Sequence, residues 1–171
     1  TSRNELGEFF EGKKIYLMES FYRAMRKKHN VMMEGNKPLT GQWNYDGENR
    51  KKLPINHKPI APLVFNNDVS EIYNEITKTD VKTIGTINTK NFVWPINRKQ
   101  SLELLDFFAE ECLQLFGSYQ DAMTPNEWSL YHSRISFSMN IKMISPQEVI
   151  DRAIEEWQKR LNEIEFNQLE G

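Results

Sequence analysis

Ser145-Pro146-Gln147-Glu148 is the most constraining stretch of the chain, because these four residues leave the backbone little choice but to start a helix. The serine oxygen can accept from the amide three residues on, and the glutamate there can reach back to the serine amide. Proline at the first helical position gives up only a donor that would lack a partner anyway. Val149, Ile150, Ala153, Ile154, Trp157 and Leu161 follow at three- and four-residue spacing, which predicts a buried stripe. Ser2 with Glu5, Asp68 with Glu71 and Asn97 with Gln100 repeat the starting signal.

Helical spacing recurs behind each start. Leu6, Phe9 and Phe10 precede a stop at Gly12; Leu17, Met18, Phe21, Tyr22 and Met25 share a second helix face. Val69, Ile72, Tyr73 and Ile76 are expected to point inward, and Leu105, Phe108, Cys112 and Leu115 form the clearest stripe. Residues 34–62 are rich in Gly, Pro and Asn and predict a long irregular loop, of the kind that is functional or a linker. Residues 81–89 fit a short strand or a loop. Ile135, Phe137, Met139, Ile141 and Met143 alternate with polar residues, and this period of two predicts a half-buried strand. The fold class expected is all-α, an irregular multi-helix assembly.

The chain has 171 residues, 39% of them apolar, enough for a core, and its formal net charge is −2. It is therefore no polyanion binder as a whole, and any nucleic-acid contact must come from a local patch. The single cysteine, Cys112, excludes a disulfide framework within the chain and fits a reducing, cytoplasmic setting. No apolar run approaches the ~20 residues needed to span a bilayer. Both ends read as cut from a continuing chain, so an internal piece of a larger protein is expected, without a complete active site.

Three constellations bear on chemistry. His29, His57, His132 and Cys112 lack metal-ligand spacing, and Cys112 sits on an apolar face as a structural thiol would. Arg23, Arg26, Lys27, Lys28 and His29 fit a solvated helix face. Arg50, Lys51, Lys52, His57 and Lys58 lie instead on a Pro-bounded loop, free to reach phosphates. His132-Ser133-Arg134-Ile135-Ser136 presents two hydroxyls which, at a helix start, would join unpaired amides in an anion site; alone, Ser-x-x-Ser is usually a cap.

The stretches Phe21-Tyr22-Arg23-Ala24-Met25-Arg26-Lys27-Lys28, Met33-Glu34-Gly35-Asn36-Lys37-Pro38 and Gln42-Trp43-Asn44-Tyr45-Asp46-Gly47-Glu48-Asn49-Arg50 resemble the iron–sulfur branch of the photolyase and cryptochrome superfamily, which includes prokaryotic (6-4) photolyases. Phe116-Gly117-Ser118-Tyr119-Gln120-Asp121-Ala122-Met123, then His132 to Ser136, then Ile144 to Val149, continue the resemblance in the same order. It is weak only between about residues 59 and 92. His132 stands where many relatives have Thr, and Lys142 where a small residue is more frequent.

The resemblance implies an N-terminal antenna-chromophore domain outside this chain and a helical domain holding FAD. Residues 1–65 would be the connection, and residues 66–171 the first part of the FAD-binding domain. It implies that His132, Ser133, Arg134, Ile135 and Ser136 open a helix at the FAD phosphates, against the strand expected from alternation. It places the basic loop of Arg50, Lys51, Lys52, His57 and Lys58 at damaged DNA. A [4Fe-4S] cluster is implied for the whole protein, with Cys112 matching none of its ligands. The function implied is light-dependent DNA repair; the alternatives are a blue-light receptor of the same fold, or a helical interaction module.

Overall fold

The computed structural model describes residues 2–171, which form two units, one ending at Asn44 and the other spanning Tyr45–Gly171. In the first unit, α1 (Arg3–Phe10) opens on the expected capping box of Ser2 and Glu5. Helix α2 (Met18–His29) packs Phe21 edge-on against Phe9 at 5.3 Å between ring centroids. A two-stranded antiparallel ladder follows, β1 (Met33–Glu34) with β2 (Lys37–Pro38), turned at Gly35 with φ 59°.

Arg26 departs from the solvated face expected of it. It is 5% exposed, donating from Nη2 to Met32 O at 2.7 Å and from Nε to Val31 O at 3.2 Å. Those carbonyls belong to the chain reversal after α2, where Asn30 and Met32 both have positive φ. A guanidinium with several donors can satisfy such a turn from inside, which a helical-face pattern does not reveal.

The second unit holds the main core. Its elements are α3 (Ser70–Thr77), α4 (Arg98–Phe107), α5 (Leu113–Tyr119), α6 (Ser136–Asn140), α7 (Pro146–Lys159) and α8 (Phe166–Glu170), with a π turn, Phe108–Cys112, joining α4 to α5. Asn97 caps α4 and the Ser145–Glu148 box caps α7, as the sequence predicts. Such caps are worth about 1 kcal/mol each. The mostly helical class is what the alternation of caps and stripes predicts.

Two clusters form the core. Phe108, Cys112, Leu113, Leu130, Tyr131 and Ile164 make one; Phe65, Leu104, Leu105, Ile135 and Ile144 make the other. Arg152 of α7, 14% exposed in its side chain, clamps α7 to α4 and the π turn through Asp106 at 2.7 Å and Glu110 at 2.8 Å. Helices α5 and α8 approach so closely at Gly117 that a Cβ there would lie 2.3 Å from Asn167 O. Beside it, Gln168 Oε1 accepts from the Ser118 amide at 3.0 Å, and its Nε2 donates to Ser118 Oγ at 2.8 Å.

Several local expectations are corrected. Residues 136–140 are helical, not a strand: Met139 N–H donates to Ile135 O and Ile141 N–H to Phe137 O. Among the described residues no strand lies beside them, and Ile135 and Ser138, three apart, are buried while Ile141 is 63% exposed. Asp68 and Glu71 form no capping box; Asp68 Oδ1 instead accepts from the Ser70 amide at 2.9 Å, in an Asx turn. The face of α3 expected to point inward leaves Ile72 61% exposed. On α7, Leu161 lies beyond the helix end and is exposed, whereas Glu156, paired with Arg152, is buried. Residues 81–89 form no strand.

Candidate functional site

The basic loop is held in place at three points. The Lys51 amide donates to Ser118 O at 3.1 Å, at the end of α5. Leu53 and Ile60 pack onto the first core cluster. The His57 amide closes a turn onto Pro54 O at 2.9 Å, and the His57 ring hydrogen-bonds Tyr131 Oη. That ring also lies 5.6 Å from the Tyr119 ring, and Tyr119 stacks on Tyr131. Burial raises the pKa of Tyr131 above the usual phenol range.

Arg50, Lys51, Lys52 and Lys58 are exposed and, with His57, line an open trough of about 1060 Å³. Asp121, Ala122, Met123, Thr124, Asn126 and Glu127 complete its lining. Arg50 lies 3.6 Å from Asp121, an exposed pair that contributes little to stability. The trough can therefore offer cations to a phosphate backbone, and the two carboxylates in its lining, Asp121 and Glu127, would bias how that backbone lies. This second stretch of the lining was not singled out in the sequence as part of a site, although Asp121, Ala122 and Met123 end one of the runs that carry the resemblance and Thr124-Pro125-Asn126 is a turn-forming run.

Directly after Tyr131 comes the second candidate site. His132 and Ser136 are exposed, and Ser133 is half-buried. Among the described residues, neither Ser133 Oγ nor Ser136 Oγ has a hydrogen-bond partner. Neither caps α6, whose N-cap position is Ile135 without a side-chain cap bond. Ile135 is 3% exposed and packs in the second core cluster. Arg134, with φ 57°, donates from Nη2 to Leu63 O at 2.8 Å and lies 5.1 Å over the Trp128 ring. Burial lowers its pKa, so its charge sits in a poorly solvated place. Two unpartnered hydroxyls beside the first amides of a helix are a donor set that fits a phosphate.

Ser138, two residues on, serves the fold instead. It is fully buried and shares a 3.1 Å hydrogen bond with Ser101 of α4. Lys142 adopts φ 65°, a left-handed conformation that favours glycine. Cys112 is buried and its thiol is pushed up to about 11, chiefly by desolvation. Among the described residues, no group of three His, Cys, Asp or Glu side chains is placed to hold a metal, and no helix is long and apolar enough to cross a membrane.

A family model described as deoxyribodipyrimidine photo-lyase-related protein matches residues 1–92, which include the whole basic loop. The chain belongs to the photolyase-related protein family. The photolyase-related chain is 31% identical over 170 residues to a (6-4) photolyase of Agrobacterium fabrum, covering 96% of itself and 33% of that relative. It also matches an uncharacterized protein of Acanthamoeba polyphaga mimivirus, 44% identical over 41 residues, or 24% of this chain and 21% of that protein. The photolyase-related chain thus spans about a third of the length of the (6-4) photolyase it matches.

Proposed function

We propose that this chain is part of a light-dependent DNA-repair flavoprotein, to which it contributes part of an FAD phosphate site and a DNA-facing surface. Similarity to a (6-4) photolyase supports the activity. The observation that carries the reading is the His57–Tyr131 hydrogen bond, because it joins the basic loop to the segment leading into Ser133 and Ser136. One framework then serves both surfaces.

His132, Ser133 and Ser136 would meet the phosphates by side chain, Ile135 by its amide, and Arg134 would brace the segment from behind. FAD, when bound, supplies the light-driven electron transfer to a pyrimidine photoproduct. Arg50, Lys51, Lys52, His57 and Lys58 would position damaged DNA through its phosphates. The [4Fe-4S] cluster and antenna chromophore belong, in this reading, to other parts of the whole protein, which would reside in the cytoplasm.

The test is made on the whole protein purified in the dark. Flavin absorption near ~450 nm and blue-light reversal of a (6-4) product or cyclobutane dimer in an oligonucleotide are expected. A protein without flavin would sink the reading, whereas flavin without reversal of either lesion would leave a light receptor. Neutralising Lys51 and Lys52 together should reduce the slope of log affinity against log salt by about 1–2.

A further inference from the structure

Two of the most exposed apolar side chains in the second unit face the same basic trough. Ile55, 101% exposed, occupies a corner of the turn closed by His57 N–H and Pro54 O. Met123, 93% exposed, lines the same trough. Scattered exposed aliphatics are ordinary on protein surfaces. Ile55 differs in its setting. It projects from a turn braced by Leu53 in the core on one side and by the His57–Tyr131 bond on the other. Lys51, Lys52 and Lys58 flank it closely in sequence.

A rigid turn that holds a bare branched aliphatic among cations suits one type of surface especially well. Phosphates would engage the lysines while the apolar tip enters a break in the base stack, as apolar wedges of DNA-kinking proteins do. A nucleotide extruded from a duplex leaves such a break, and an aliphatic side chain can fill it without needing hydrogen-bond partners. We propose that Ile55 is a wedge residue that fills the gap left in the stack by an extruded nucleotide, with Met123 adding a second apolar contact from the same trough. This inference rests on the DNA-facing role of the basic loop and adds a specificity determinant to it: preference for duplexes whose stack is already interrupted.

The experiment uses the whole protein and a duplex with an abasic site beside 2-aminopurine, whose emission rises on unstacking. An intact duplex with the same probe is the control. The wild type is expected to give a several-fold emission rise on the abasic duplex. Ile55→Ser should abolish that rise yet bind the intact duplex within a factor of about two of wild type, since phosphate contacts carry that binding. Ile55→Leu should preserve the rise. Because Ile55 packs on nothing, neither change removes core contacts. An undiminished rise in Ile55→Ser, or a wild type that binds without any rise, overturns the wedge and leaves the groove intact. Failure of the wild type to bind either duplex at low salt overturns the DNA-facing role, and the wedge with it.

Discussion

His57 and Tyr131, 74 residues apart, are hydrogen-bonded side chain to side chain, with the imidazole leaning on the Tyr119–Tyr131 stack. The bond positions a charged turn. Tyr131→Phe keeps the stack and removes only the hydroxyl. One hydrogen bond of this kind is worth about 0.5–1.5 kcal/mol, so DNA affinity of the whole protein should fall up to roughly tenfold. The salt dependence should not change, because every lysine remains. Titrations at several salt concentrations separate the two quantities; a changed slope with unchanged affinity at low salt would contradict the positioning role.

Ser136 and Ser138 should separate cofactor retention from folding. Ser136 is exposed with an unpartnered hydroxyl, whereas Ser138 is buried and bonded to Ser101. Ser136→Ala is expected to lower flavin occupancy of the whole protein, by about tenfold or more in affinity, with little change in Tm. Ser138→Ala should lower Tm by removing a buried partner and leave FAD affinity of the folded protein near wild type. Equal occupancy in the two variants would remove the phosphate role from Ser136.

Glu148 should contribute to acid sensitivity. Its hydrogen bond to the Arg98 guanidinium, then those from the Ser145 amide and hydroxyl, hold its pKa down to about 2 from an ordinary 4.5. A carboxylate depressed on folding stabilises the native state above its unfolded pKa. That contribution is lost as pH falls through its folded value, here between about pH 4.5 and 2. Glu148→Gln can still close the capping box but forms no ion pair. Its Tm should lie below wild type at neutral pH, and the gap should shrink as pH drops through that window. A constant gap across the window would show that the pair does not couple folding to pH.

Gly117→Ala places a Cβ 2.3 Å from Asn167 O and 2.7 Å from Gln168 Cα. Both are backbone atoms, so α8 must move as a body and disturb the Gln168–Ser118 pair. Overpacking of this kind costs about 1–3 kcal/mol, and more where backbone must shift. Chemical denaturation should show a lower midpoint; Gly7→Ala, with nothing near the added methyl, is the control expected to be neutral or slightly stabilising.

What could be read from the residues alone follows the range of the forces involved. The caps at Ser2, Asn97 and Ser145 join groups three residues apart, so their outcome is local and legible. The short helix after Ile135 was not, because strand and helix both bury Ile135 and only contact with Leu104, Leu105 and Ile144 decides between them. Arg26 looked solvated because its acceptors lie past a chain reversal that has no periodic signature. In the candidate site, the lysines of the basic loop stand out by composition. Tyr131, which anchors the loop, carries no local mark, since its partner lies 74 residues earlier.

The π turn at Phe108–Cys112 acts as a phase shifter between α4 and α5. Its wider loop, closed by the Leu113 amide on Phe108 O, amounts to one residue more than a regular helix would hold over the same axial length. Each residue of an α-helix advances the screw by about 100°. Deleting one residue there would let the spiral run straight from Arg98 to Tyr119 and wheel α5 about its axis by roughly that angle. Gly117 would swing away from the α8 backbone it now admits, and the Ser118 carbonyl would leave the Lys51 amide. One extra residue in the middle of a helix thus sets the azimuth of a basic loop some sixty residues upstream in the chain.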